Sequence, residues 1–251
     1  IKYRERQRDH TTTMVFIHGF GAGSHYWQAL EEHFAKSYNT IALDLKGFGY
    51  SDKPKDGKYR VSDQAEMLAA FLEAKNLTQV ILVGHSMGGA VALLTHFKGR
   101  RDLVKALILI DNASYGQMLP DFIQVLKHPV WGVLGPALLP DRLLMQKVLE
   151  KVYADKKLIT PARMQPYLDA LKTPGAHYAL RQTARQLIPE NVDEIIDKTV
   201  NLDIPVLILW GENDRVLPLS SGQRLHYDVK TSEFVIIPGA GHNPHEEQTE
   251  V

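Results

Sequence analysis

The apolar, β-branched run Gln79-Val80-Ile81-Leu82-Val83 ends abruptly in Gly84-His85-Ser86-Met87-Gly88-Gly89, and small, helix-competent residues follow from Ala90 to Leu94. This pattern predicts a strand, a tight turn and a helix, with one serine at the apex. Such a turn holds the Ser86 hydroxyl clear of its own backbone, beside the first amides of a helix. Those amides and the helix dipole favour negative charge, which develops when an alkoxide attacks a carbonyl. Glycines at 84 and 88 leave room for a backbone that larger side chains would obstruct.

A serine nucleophile needs a base, an acid to orient the base, and donors for an oxyanion. Val235-Ile236-Ile237-Pro238-Gly239-Ala240-Gly241-His242 reads as an apolar strand running into a glycine-rich loop that presents a histidine. Val206-Leu207-Ile208-Leu209-Trp210-Gly211-Glu212-Asn213-Asp214 reads as a buried strand ending in a turn that carries an acid. Met14-Val15-Phe16-Ile17-His18-Gly19-Phe20-Gly21 is a further strand, ending in a His-Gly loop.

The order serine, acid, histidine, each after a predicted strand, resembles that of the α/β-hydrolase superfamily, and Gly84-His85-Ser86-Met87-Gly88 resembles its nucleophile elbow. The resemblance runs from about Met14 to His245. It implies a mostly parallel sheet flanked by helices, with Ser86 as nucleophile, His242 as base and Asp214 as the orienting acid. The oxyanion hole would be the backbone N–H groups of Phe20 and Met87, with the His18 side chain bracing its loop.

Rivals exist for two of these roles. His245 lies three residues beyond His242, but the glycine-rich approach and the position directly after a strand favour His242. Asp111 also follows an apolar strand, and some superfamily members take their acid there. The run Gly211-Glu212-Asn213-Asp214-Arg215-Val216-Leu217-Pro218 matches the commoner position. Glu212 reads as a solvated turn residue.

Short apolar strands, expected at residues 14–18, 40–44, 80–83, 106–110, 206–210 and 233–237, alternate with helical spacing at 26–35, 61–75 and 87–97. The loop Asp44-Leu45-Lys46-Gly47-Phe48-Gly49-Tyr50-Ser51 reads as a turn with close backbone approaches. The rhythm breaks between residues 115 and 199, where helical stretches (120–126, 142–153, 163–171 and 179–187) are separated by prolines. The resemblance places a helical cap there. The expected organisation is a core of residues 1–114 and 200–251 with a cap insertion at 115–199. The first half of the insertion is notably apolar (Leu119, Phe122, Val125, Val130, Trp131, Val133, Leu134, Leu138 and Leu139). A substrate pocket is expected among His18, Gly19, His85, Phe122, Trp131, Leu134 and Val216, with Phe20 as a further wall.

A chain of 251 residues can bury a large core as one domain. Lys plus Arg and Asp plus Glu number 29 each, so no electrostatic footprint for nucleic acid or an anionic membrane is visible. No apolar run is long enough to cross a bilayer. There is no cysteine, hence no disulfide or thiol chemistry, and the histidines lack a helical pair at metal-binding spacing. No metal or organic cofactor is implied. The chain opens Ile1-Lys2-Tyr3-Arg4, without an initiator methionine or a signal-like stretch, and a cytoplasmic location is the expectation. Relatives usually follow their histidine with a final packing helix, so the chain is expected either to be trimmed or to lack that helix. Its oligomeric state is open.

A dinucleotide-binding reading of Gly19-Phe20-Gly21-Ala22-Gly23 fails because Ser24 stands where the third glycine of the fingerprint belongs. Serine at the elbow points away from dehalogenase and epoxide hydrolase chemistry, which would use aspartate there. The expected function is hydrolysis of carboxylic esters of short to medium acyl chain. Two alternatives are C–C bond hydrolysis of the meta-cleavage-product type, whose usual Gly-Pro step is replaced here by Gly21-Ala22-Gly23, and a slow-turnover ligand receptor.

Overall fold

A computed structural model of the protein describes residues 1–98, 102–116, 119–189 and 192–249, with the side chains of all of these except 136 and 137. Residues 117–118 and 190–191 of the expected insertion, and 99–101 and 250–251 of the expected core, lie outside the described residues. Seven strands form one sheet in the order β1-β3-β2-β4-β5-β6-β7. They are β1 (Lys2–Arg6), β2 (Thr13–Ile17), β3 (Asn39–Asp44), β4 (Val80–His85), β5 (Val104–Ile110), β6 (Val206–Gly211) and β7 (Ser232–Ile237). All neighbours pair in parallel except β1 with β3.

The six strands expected from apolar runs are all present, and β1 is the addition. Its sequence, Lys-Tyr-Arg-Glu-Arg, has no apolar alternation, and its residues are exposed or half-buried. It is held at the sheet edge by main-chain pairing to β3 and by a side-chain fork. Arg4 donates to the Oε2 of Glu31 from Nε at 3.1 Å and from Nη2 at 2.6 Å, and Glu31 is fully buried.

Alternate residues of the central strands enter two apolar layers, as the two-residue period of a strand requires. Val15, Ile17, Leu82, Leu107 and Ile208 pack with α2 (Val61–Ala74), α3 (Met87–Lys98) and α10 (Leu219–Asp228). Phe16, Val83 and Ile110 pack on the other face with Trp27 and α1 (Gln28–Phe34). The register aligns Ile17 with Gly84, Gly84 with Leu109, Leu109 with Ile208, and Ile208 with Phe234. Consequently the turns that follow β2, β4, β5, β6 and β7 all emerge along one edge of the sheet, where ligands bind in open α/β folds.

Between β5 and β6 the described residues form only helices: α4 (Asp121–Lys127), α5 (Trp131–Leu138), α6 (Asp141–Val152), a 3₁₀ turn, α7 (Pro161–Leu171), α8 (Ala176–Gln186) and α9 (Val192–Val200). Four of these coincide with expected helical stretches. Helix α7 starts as its sequence dictates, with Thr160 Oγ1 accepting from Arg163 N at 3.2 Å and Pro161 in the first turn. Helix α5 contains Gly132, Gly135 and Pro136, so its sequence gave no helical signal. The segment is tied to the core near the chain's end. His242 N donates to Val152 O at 2.8 Å, and Ala154 N donates to Glu247 Oε2 at 2.9 Å. A short helix, α11 (Pro244–Glu247), follows His242. No helix among the described residues is long and apolar enough to cross a membrane.

The closest packing lies under the elbow. A Cβ on Gly88 would collide with the carbonyl oxygens of Ile17 and His18, the second of them 2.5 Å away. Both obstacles are backbone atoms of the central sheet and cannot swing aside. Gly88→Ala is therefore expected to lose at least about 1–3 kcal/mol of stability, as overpacking does, seen as a melting temperature several degrees lower.

Candidate active site

Ser86 sits between the last residue of β4 and the first of α3, with its backbone in the left-handed region at φ +52°. A non-glycine residue there costs on the order of 1–3 kcal/mol. Four main-chain bonds hold it in place. Ser86 N donates to Ile110 O at 2.9 Å, while Ser86 O accepts from Gly89 N at 3.0 Å, Ala90 N at 3.4 Å and Ala113 N at 3.2 Å. Met87 opens a helix of 12 residues, so its N–H belongs to the first turn, whose donors have no partner within the helix.

The loop after β2 is fixed by side chains behind it. His18 is fully buried; its Nε2 accepts from Leu45 N at 2.9 Å, which leaves Nδ1 to donate to Gly19 O at 2.7 Å. Both nitrogens of the neutral ring are thus used, and burial holds its pKa below the ordinary value, against the opposing pull of Asp44. Asp44 in turn accepts from Ser24 N at 2.6 Å and Tyr50 N at 2.8 Å. Within the loop 44–51, Gly47 and Gly49 adopt φ of +90° and +50°, in keeping with a tight structural turn.

A hydrogen-bonded chain joins this loop to the histidine loop. Gly19 N donates to the Tyr26 hydroxyl at 2.6 Å, and that hydroxyl donates to His85 Nδ1 at 3.0 Å. His85 Nε2 then donates to the His242 carbonyl at 2.7 Å. The direction is forced, because a carbonyl can only accept, so His85 carries its proton on Nε2. Burial, with His242 and His245 close by, holds the His85 pKa well below the ordinary value, which keeps the ring neutral.

His242 Nδ1 lies 2.8 Å from Asp214 Oδ2, and Asp214 Oδ1 accepts from Val216 N at 2.7 Å and Leu217 N at 3.0 Å. Burial by itself would raise the Asp214 pKa. His242, then hydrogen bonds from Asp111 and Leu217 N, outweigh it, and the carboxyl is held below its usual value. His245 is placed differently. It stacks on Trp27 with ring centroids 4.5 Å apart, and neither of its buried ring nitrogens has a hydrogen-bond partner. Burial pushes its pKa well down. Asp111 lies behind Asp214, fully buried, with Oδ1 accepting from Gly211 N at 3.0 Å. Glu212 is exposed and accepts from Gly239 N at 2.9 Å.

Two apolar cavities meet at Ser86. Phe20, Ser86, Ile123 and Val216 line both. The first continues along α3 past Met87, Ala90 and Leu94 toward Tyr115 and Leu187. The second holds Gly19, His85, Phe122 and His242, together with α6 and α8. Of the residues expected in the pocket, Gly19, His85, Phe122 and Val216 are therefore wall residues. His18 is not among them, because it is fully buried behind the loop. Nor are Trp131 and Leu134, which are 54% and 43% exposed on α5. That helix packs against α4, and none of its described residues lines either cavity. The wall expected from it comes from Met145, Val148, Leu149 and Val152 of α6 and Leu180 of α8. Their spacing of three and four along α6 was visible in the sequence as a helical face, with nothing to say what it faced. Tyr26 likewise carried no sequence signal.

Asp111, Asp214 and His242 each bring one ligand atom within 4.8 Å of the others, so the trio is geometrically able to bracket a cation. The contacts present among them are those of proton sharing, with the imidazole N–H aimed at Asp214. The arrangement as a whole offers a hydroxyl at a helix N-terminus and an imidazole with one nitrogen anchored to a carboxylate, both lining the same apolar cavity. Removing the Tyr26 hydroxyl would leave Gly19 N–H and His85 Nδ1 buried without partners. Tyr26→Phe is expected to cost about 1–3 kcal/mol, measured by denaturant unfolding.

Residues 12–249 match the family model described as alpha/beta hydrolase fold. The chain is 27% identical to the uncharacterized hydrolase YugF of Bacillus subtilis, over all of this chain and 90% of that protein. It is also 27% identical to a 2-hydroxy-6-oxo-2,4-heptadienoate hydrolase of Pseudomonas putida, over 91% of this chain and 82% of that one. Among solved structures, the esterase EaEST of Exiguobacterium antarcticum superposes with a TM-score of 0.81 at 21% identity, covering 99% of this chain and 90% of that chain.

Proposed function

This chain belongs to the α/β-hydrolase family, and from that premise we propose that it hydrolyses carboxylic esters of short to medium acyl chain through an acyl-enzyme. The observation that carries the proposal is the 2.8 Å contact between His242 Nδ1 and Asp214 Oδ2, in a cavity that His242 shares with Ser86. With Nδ1 held by Asp214, Nε2 of His242 is the nitrogen that takes the Ser86 proton as Oγ attacks the ester carbonyl. The oxyanion of the tetrahedral intermediate is received by the N–H groups of Phe20 and Met87. His242 then protonates the leaving alkoxide, and a water repeats the sequence to release the acid and restore Ser86. In this reading residues 115–199 act as a cap, with α4, α6 and α8 roofing the site. No metal or organic cofactor takes part.

C–C bond hydrolysis is the second reading, favoured by the likeness to the heptadienoate hydrolase. A dienoate carries a carboxylate, and the described walls of both cavities contain no lysine or arginine to receive one. That composition favours neutral apolar esters.

Steady-state hydrolysis of p-nitrophenyl esters, acetate through palmitate, is expected to peak at short or medium chains, with Ser86→Ala silent. Asp214→Asn should lower kcat by about four orders of magnitude, because the histidine tautomer is then wrong. A wild type as silent as the Ser86 variant, or a preference for sixteen carbons, would refute the proposal.

A further inference from the structure

The mechanism above leaves Asp111 without a part. It follows β5, with its backbone in the left-handed region at φ +41°, a conformation that a residue other than glycine adopts at a cost. Its side chain is fully buried. Oδ1 accepts from Gly211 N at 3.0 Å, but Oδ2 is buried and accepts no hydrogen bond. The polar group beside it is a second carboxyl, that of Asp214. A buried oxygen with no donor, packed against another acid, is intelligible only if one of the two carries a proton.

Two carboxyls this close in a dry site do not both ionise. The donors decide which one keeps the charge. Asp214 has three: His242 Nδ1, Val216 N and Leu217 N. Asp111 has one, Gly211 N. Glu247, of the same sign as Asp214, also acts on Asp111, and a ring nitrogen of His242, which is already held by Asp214, lies within 4.8 Å of an Asp111 carboxylate oxygen.

We propose that Asp111 is a positioning residue that keeps its proton at neutral pH and donates it to Asp214, so that a single negative charge faces His242. Burial first, and then the neighbouring Asp214, push the Asp111 carboxyl well above the usual carboxylate range, while the Asp214 carboxyl lies below it. A donor at its back orients Asp214 toward His242. A second anion in its place would hold a proton on His242 to higher pH and narrow the range in which the ring acts as a base. The part played in turnover rests on the ester-hydrolase reading; the protonation state does not.

Asparagine has the shape of a protonated aspartic acid, keeps a donor and cannot ionise. Asp111→Asn is expected to retain kcat/KM within about threefold and to leave the acidic limb of the pH–rate profile where it is. Asp111→Ala should lose kcat by about ten- to a hundredfold, with KM little changed. An acidic limb that moves about one pH unit downward in the Asn variant would mean that an anion had been removed, and would overturn the proposal. A measurement independent of turnover is the melting temperature of wild type and Asp111→Asn from pH 4 to 8. A carboxyl whose folded-state pKa is raised binds its proton more tightly when folded, so it subtracts stability as pH rises above the ordinary carboxylate range. The Asn variant should therefore gain on wild type with rising pH, and a difference that is flat or shrinking would overturn the assignment. If Asp111→Asn does not fold, Asp111→Ser, which also keeps a donor and cannot ionise, takes its place. If no ester is turned over, the ester reading fails and the melting series still decides the protonation.

Discussion

Ser86 is held at φ +52° by four main-chain hydrogen bonds reaching to β5, the turn after it and α3, and the placement of every other group at the site follows from that knot. The conformation is unfavourable for a residue with a side chain, so the surroundings must over-determine it. They do so through the sheet. Ile110 O, at the end of β5, receives Ser86 N, and Gly88 brings α3 against the carbonyls at the end of β2. Parallel register carries the same alignment to β6 and β7, so the acid turn and the histidine loop emerge beside the serine.

Around the knot, the loops satisfy one another's polar groups. Gly19 N, Tyr26, His85 and the His242 carbonyl form one chain, and His242 Nδ1, Asp214 and the amides of Val216 and Leu217 form a second. In a dry interior an unpaired group is costly and a paired one is stiff, so each chain fixes positions more tightly than packing would. Both chains meet at His242, one through its backbone and one through its ring. The histidine loop is additionally clipped to α6 by the bond from His242 N to Val152 O. The helical segment above the sheet is thereby coupled to the residue it covers.

Legibility of these features in the sequence followed the range of the forces involved. The central strands are continuous apolar runs because both faces are buried, and the strand–glycine–serine pattern leaves only one kind of turn. Strand β1 escaped because an edge strand of Lys-Tyr-Arg-Glu-Arg is held by backbone pairing and by the Arg4–Glu31 fork, 27 residues apart in the chain. Trp131 and Leu134 looked like cavity walls because they are large and apolar, yet on α5 they are exposed and line neither cavity. Hydrophobicity marks what avoids water in most folds; it does not say which of two apolar helices is nearer the serine.

By itself, the sequence determined the layered α/β sheet, the elbow at Ser86 and the order in which serine, acid and histidine leave it. Those features are encoded within windows of about ten residues, where apolar periodicity and glycine placement suffice. The sequence favoured Asp214 over Asp111 and His242 over His245, but only the tertiary structure decided that Asp214 Oδ2 meets His242 Nδ1 at 2.8 Å and that His245 stacks on Trp27. It also decided that Tyr26 and His85 tie the two loops together and that α6 and α8 form the wall of the second cavity. Those outcomes depend on which strand ends lie side by side, a matter of register and of hydrogen bonds between residues 28, 59 and 157 positions apart, beyond the reach of a ten-residue pattern.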